Sequence, residues 1–313
     1  MKKLKPHHLP PTFSWRFFLP RHWLTWMGLA FARLIALLPF NMAIHLGRAL
    51  GKLFYRYAPQ RAAIARANIA TCFPHLDESA QEALTQATVI NCGIGMIETL
   101  LALFGPQYHF RNRATIHGLA HLTQRNQGVL LVGCHMTTLE LAGRLLANAQ
   151  PFDILYRRDP NPLLAWALVG ARAKFNGASI LSVETRRLVK HLQQGRIVWY
   201  APDQDYGIKH SLFAPFFGEP AASVPGTAHF ARLGRAKVVF FSHYRDEANH
   251  YHIHLTPAKD TFPTQDDLED ATYVNQMFES MIVEAPSQYL WVHRRFKTRP
   301  EGKPPIYPKR LKK

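Results

Sequence analysis

The sequence predicts an α/β fold: a mixed sheet with helices on both faces, preceded by an N-terminal apolar helix. Three observations carry this expectation. From residue 128 onward, short apolar runs alternate with helical stretches, as strands and covering helices do. Residues 23–104 read as helical, with one interruption. Inside them, residues 23–40 form an apolar run whose only charge is Arg33.

Residues 1–22 are a basic, proline-containing lead with aromatic side chains. The apolar run that follows reaches the lower length limit for crossing a bilayer. Trp15, Trp23 and Trp26 suit a membrane interface, but basic residues flank both ends, so charge asymmetry establishes no crossing. A helix lying in the interface, a buried core helix and a targeting segment stay open beside a spanning one. Arg33 and the absence of a small-residue cleavage site speak against a signal peptide. The helical pattern stops at Cys72-Phe73-Pro74 and restarts at Asp77-Glu78-Ser79. Strands are expected over residues 128–134, 152–157, 197–201, 237–243 and 250–256. Helices are expected over 138–148, 162–174, 184–194, 226–233 and 266–284. No repeat or low-complexity linker divides the chain, so it reads as a basic N-terminus with an anchoring helix (1–45) and one catalytic domain (46–313).

A hydrophobic content of 47% fills a real core, and a net charge of +17 calls for an acidic partner: nucleic acid, an anionic membrane or an acidic protein. The charge is unevenly spread. Residues 1–76 hold eleven Lys or Arg and no acid, and the tail from Arg294 to Lys313 adds nine more. Three cysteines (Cys72, Cys92 and Cys134) make no disulfide framework, which suits a reducing compartment.

His135 and Glu140 are set five positions apart, just after the apolar run 128–133. A histidine oriented by a carboxylate can take the proton of a hydroxyl, so the pair reads as the base of an acyl-transfer site. Spacing alone is weak evidence, since this chain's composition yields about one such pair by chance. Its position at the end of a strand, where α/β sheets bind ligands, gives it weight. Glu140 also fits a capping box with Thr137-Thr138-Leu139, a role compatible with orienting His135. Cys134 points to the opposite face of its strand and reads as core. Tyr156-Arg157-Arg158 and the stretch 200–207 fall at neighbouring strand ends. An arginine there suits a phosphate or an oxyanion, and Asp203 and Asp205 order arginines or cap a turn. His250, His252 and His254 share a strand face, with the first and third too far apart to hold one metal ion easily. Arg294, Arg295 and Lys297, mixed with aromatics, suit phosphates at a membrane or a nucleic acid; no DNA- or RNA-binding motif accompanies them.

Across nearly its whole length the chain resembles the late acyltransferases of lipid A biosynthesis, the lauroyltransferase type. The resemblance rests on His135 and Glu140, Tyr156-Arg157, the stretch 198–207 with its Asp203-Gln204-Asp205-Tyr206-Gly207, residues 224–228, and Arg294-Arg295-Phe296-Lys297-Thr298-Arg299-Pro300-Glu301-Gly302. It implies a bacterial inner-membrane enzyme facing the cytoplasm, with the α/β sandwich of glycerol-3-phosphate acyltransferases. The enzyme would move a fatty acyl chain, lauroyl in the first instance, from acyl carrier protein to a 3-hydroxyacyl chain of a Kdo-lipid IVA-type precursor. No cofactor, metal or nucleic acid is implied. His135 would be the general base and Glu140 its orienting carboxylate. Substrate contacts would come from Arg157, Arg158, Asp203, Asp205, Arg294, Arg295 and Lys297, with Arg157 preferred where many relatives carry Arg-Pro. A related acyltransferase acting on a lysophospholipid-type acceptor is the nearest alternative, and a basic nucleic-acid-binding protein a remote one.

Overall fold

The computed structural model describes residues 12–124 and 126–308. The terminal basic residues Lys2, Lys3, Lys5, Lys309, Arg310, Lys312 and Lys313 lie outside them. The apolar run is not one helix. It forms α1 (Trp23–Ala36), breaks at Leu37-Leu38-Pro39, and resumes as α2 (Phe40–Tyr57). Proline lacks the amide for a continuing helix and starts the next one. α3 (Pro59–Cys72) ends where the sequence places a stop, and α4 (Glu78–Phe104) starts with Asp77 accepting the Ala80 amide at 2.7 Å. A division at residue 45 falls inside α2, whose Ala43 and Ile44 are buried in one apolar cluster with Ile94 and Ile97 of α4.

α4 is long and apolar enough to cross a bilayer by length and composition, yet more than half of its most apolar window is buried. It packs as the central helix of the core. Gly51 of α2 faces Gly93 of α4 so closely that a Cβ on Gly93 would lie 2.3 Å from the Gly51 nitrogen. Only glycine permits this approach. Further along, Gly95 sets α4 against the backbone of Thr137, where an added Cβ would meet the carbonyl at 2.5 Å. The central helix therefore braces the segment carrying His135.

The remaining elements run β1 (Ala114–His117), α5 (Ala120–Thr123), β2 (Val129–Val132), α6 (Leu139–Ala149), β3 (Asp153–Tyr156), α7 (Pro162–Arg172), β4 (Ser179–Leu181), α8 (Thr185–Gln193), β5 (Ile197–Tyr200), β6 (Leu212–Phe216), β7 (Glu219–Ser223), α9 (Gly226–Gly234), β8 (Lys237–Arg245), β9 (Tyr251–Pro257) and α10 (Asp267–Glu284). Seven strands form one sheet in the order β1-β9-β8-β2-β5-β3-β4. All neighbours are parallel except β8 and β9, so the sheet is mixed as expected. β6 and β7 make a separate hairpin.

Side chains alternate between two apolar layers, as the pleat demands. Leu130, Val132, Val198 and Phe240 meet α3, α8, α9 and α10, while Val129, Leu131, Val239 and Phe241 meet α4 and α6. Fully burying such a side chain contributes roughly 1.5–3 kcal/mol, which fixes the central strands firmly. Glu98, buried in α4, ties that helix to the sheet through an ion pair with Arg245 and the Tyr251 hydroxyl.

Candidate active site

β2 and β5 lie side by side in parallel, with Val129 opposite Ile197 and Val132 opposite Tyr200. Both chains leave the sheet in step, and the Gly133 amide still bonds the Tyr200 carbonyl at 3.1 Å. Carrying the same offset three residues further puts His135 opposite Asp203. There the imidazole Nδ1 meets Asp203 Oδ1 at 2.5 Å, and the His135 backbone amide donates to Oδ2 at 2.9 Å. Tyr289 adds a third donor, its hydroxyl 3.1 Å from Oδ2. Asp203 is 1% exposed, so its charge is stabilised by these donors rather than by water.

Burial by itself would lower the pKa of His135 and raise that of Asp203. Their opposite charges and shared hydrogen bonds outweigh burial, so His135 is held above its ordinary value and Asp203 below. Asp203 accepts from Nδ1–H, which leaves Nε2 as the basic nitrogen of the neutral ring. The His135 side chain, 27% exposed, lines a cavity of about 280 Å³. Leu139, Phe152, Ile154, Phe175, Trp199 and Phe241 give that cavity apolar walls, and Gly143 leaves room on the α6 side.

Glu140 does not orient His135. It lines the same cavity, but its carboxylate is taken by Arg172 at the end of α7, with Nη2 on Oε1 and Nε 3.3 Å from Oε2. From the first turn of α6 it faces α7, while Asp203 has already reached the imidazole from the neighbouring strand. The capping box does not form either. Thr137 sends its amide to the Gln288 carbonyl at 2.7 Å, and its buried hydroxyl meets no partner among the described residues, while the Thr138 hydroxyl pairs with His243 Nδ1 at 2.8 Å. Burial pushes His243 down to about 3, which keeps it neutral.

Of the two consecutive arginines, Arg157 lines the cavity at the end of β3 and Arg158 does not. The remaining sequence-predicted contacts separate. Asp205 accepts the Gly207 amide at 2.8 Å, the Thr298 amide at 2.6 Å and the Thr298 hydroxyl at 2.9 Å, clamping the C-terminal segment rather than a substrate. Arg295 corrects the expectation most sharply. It is 1% exposed, and its guanidinium is spent on the Ala222 carbonyl at 2.6 Å and the Ser223 hydroxyl at 3.0 Å, above the Phe216 ring. Arg294 lies half-buried near Tyr307, and Lys297 is exposed; neither lines the cavity. Of the strand histidines, His252 pairs with Asp246 at 3.0 Å and His254 stacks on His117.

The family model for bacterial lipid A biosynthesis acyltransferases matches residues 10–298. The chain belongs to that family. It is 36% identical to the lipid A biosynthesis lauroyltransferase of Escherichia coli over 95% of this chain and 99% of that protein. It is 38% identical to the lipid A biosynthesis palmitoleoyltransferase of the same organism, over 94% and 98%. The Escherichia coli lipid A biosynthesis myristoyltransferase is 28% identical over 93% and 92%. A solved structure, the 1-acyl-sn-glycerophosphate acyltransferase PlsC of Thermotoga maritima, overlaps 77% of this chain and 99% of its own at TM-score 0.37 and 13% identity. As a lipid A acyltransferase the chain is an enzyme, and the names of these relatives carry three different acyl groups.

Two contributors to the site carried no sequence signal of their own. Arg172 lies inside the expected helix 162–174 and belongs to no motif. Tyr289 lies in a stretch with no motif, yet pairs its backbone with Met136 and its hydroxyl with Asp203. Only the register of β2 against β5 would have paired His135 with Asp203.

Proposed function

We propose that this enzyme transfers a fatty acyl chain, lauroyl in this reading, from acyl carrier protein to a hydroxyl of a 3-hydroxyacyl chain on a Kdo-lipid IVA-type precursor. The observation that supports it most is an imidazole locked by a buried carboxylate and lining a cavity with apolar walls. Nε2 of His135 takes the proton of the acceptor hydroxyl as its oxygen attacks the thioester carbonyl. Asp203 holds the ring in the needed tautomer and stabilises the imidazolium. Arg157 borders the cavity, where a cationic group lowers the energy of the tetrahedral oxyanion, while the charge of Arg172 is already matched by Glu140. Collapse breaks the carbon–sulfur bond, and the leaving thiolate recovers the proton from the imidazolium. No acyl-enzyme intermediate is needed.

The same reading gives the N-terminal part, residues 1–45, its role. At 1.5 Å per residue, α1 is about 21 Å long, short of the ~30 Å hydrocarbon core. Its Trp23, Leu24, Met27, Phe31 and Leu34 are exposed along one side, beside Trp15 and Phe18, while Ala32, Ile35 and Ala36 are buried on the other. We propose that α1 lies in the cytoplasmic leaflet of the inner membrane, built onto the catalytic domain rather than hanging from it.

The test incubates purified protein with acyl carrier proteins carrying chains of several lengths and the tetra-acylated, Kdo-bearing precursor, and weighs the products. A mass gain of one acyl group, largest with lauroyl, and its loss in His135→Ala protein of normal fold, is the expected result. Wild-type transfer by His135→Ala would end this reading.

A further inference from the structure

A second concave surface adjoins the catalytic cavity. Between α1 and α7 runs a groove of about 380 Å³ with Trp26 and Trp166 on its walls, and it shares Arg33, Ala171 and Lys174 with a hollow of about 330 Å³ at the end of α4. Arg33 and Lys174 line both spaces, and Arg144 lines the second hollow and the catalytic cavity alike. No Asp or Glu lines either space among the described residues. Arg33 is the only charge on an otherwise apolar helix, and its guanidinium stands 5.8 Å from the Phe104 ring rather than on a carboxylate. Arg144 is stacked over Phe175 at 4.2 Å, with one Nη held by Gln107 at 2.7 Å and its Nε without a partner among the described residues.

Two exposed cations at the end of a tryptophan-walled groove, beneath a membrane-facing apolar helix, match a molecule with an acyl tail and an anionic head. We propose that Arg33 and Lys174 bind a phosphate of the lipid acceptor, holding its head group while the acyl chain bearing the hydroxyl reaches His135. This inference rests on the acyltransferase reading above. It adds a site outside the catalytic cavity and assigns it to the acceptor rather than to the carrier protein. A phosphate oxygen accepts from both side chains, and Arg144 then supplies the basic continuity between the two spaces.

The experiment measures acyl transfer in zwitterionic detergent micelles with saturating donor, using acceptor with its phosphates intact and after phosphatase treatment. The Arg33→Gln, Lys174→Gln double variant removes both cations that donate to the phosphate. It should raise the KM for phosphorylated acceptor about ten-fold and change kcat less than about two-fold. KM for the phosphatase-treated acceptor should not move, and Arg33→Lys with Lys174→Arg should restore the wild-type value. An unchanged KM, an equal rise for both acceptors, or a rise confined to the carrier protein overturns the assignment. A second measurement needs no turnover: co-sedimentation with phosphatidylcholine vesicles containing phosphatidic acid should weaken several-fold in the double variant. Phosphatidic-acid-dependent binding by a wild-type protein that transfers no acyl group would remove the functional reading and leave the phosphate site standing. Vesicle binding identical in wild type and variant would remove the site.

Discussion

Replacing Asp203 by asparagine separates the roles of the two carboxylates at this site. Asparagine keeps the shape and offers Nδ1–H an oxygen, but removes the negative charge that raises the His135 pKa and stabilises the imidazolium. It also exchanges an acceptor for an amide beside the Tyr289 hydroxyl and the His135 amide, both of which donate to Oδ2. Loss of the orienting carboxylate in histidine-based sites costs roughly 10²- to 10⁴-fold in rate, or about 3–5 kcal/mol of barrier. The pH dependence gives the sharper signature. A base must be neutral to act, so kcat/KM falls on the acid side as His135 takes a proton. Because Asp203 raises that pKa, Asp203→Asn should move the acid limb to lower pH as well as lowering the plateau. Glu140→Gln, which disturbs Arg172 instead, should lower the plateau with no movement of the limb. The assay is initial-rate acyl transfer from pH 5 to 9 for wild type and both variants. A limb that moves with Glu140→Gln and stays put with Asp203→Asn would refute the assignment of partners.

Further predictions concern the cavity, the core and the membrane face. A Cβ on Gly143 would sit 3.8 Å from the Phe152 ring, so Gly143→Ala should be accepted, whereas Gly143→Phe should occupy the cavity and shift products toward shorter acyl chains by mass spectrometry. Glu98→Ala leaves Arg245 buried without its counter-charge and should cost about 3–5 kcal/mol in urea unfolding. Met27→Glu with Phe31→Glu changes residues that are 67% and 65% exposed. It should leave the melting temperature within about 2 °C but cut vesicle binding at least ~10-fold, because charge in the acyl boundary costs on the order of 2–3 kcal/mol.

Periodicity made the central strands and the five helices after residue 138 legible, because their apolar positions repeat with the spacing the backbone imposes. The short elements escaped it. β4 spans three residues, and the β6–β7 hairpin turns at Phe217-Gly218, both at positive φ, without the Asn-Gly or Asp-Gly that would have announced it. At the site, His135 and Arg157 were legible because each closes an apolar run. Glu140 was given the wrong partner because proximity in sequence stood in for direction in space. Asp203, named among the substrate-binding residues, is the histidine's partner because β5 lies beside β2, an adjacency settled by the packing of distant segments. Arg295 misled for a related reason. A basic residue in a basic tail reads as exposed, and nothing local tells that a carbonyl and a hydroxyl on β7 await it.

The shared register of β2 and β5 has a consequence for how this site tolerates insertions. His135 lies three positions past Val132, and Asp203 three past Tyr200, so the contact is a count of residues measured from two paired strand ends. Adding one residue within 133–134 or within 201–202 slides one partner by about 3.3 Å and turns its side chain away. Activity should vanish in either single insertion and return in part when both loops lengthen together, since the count is then equal again. The two loops therefore behave as one length-matched unit, and drift in either is bound to drift in the other.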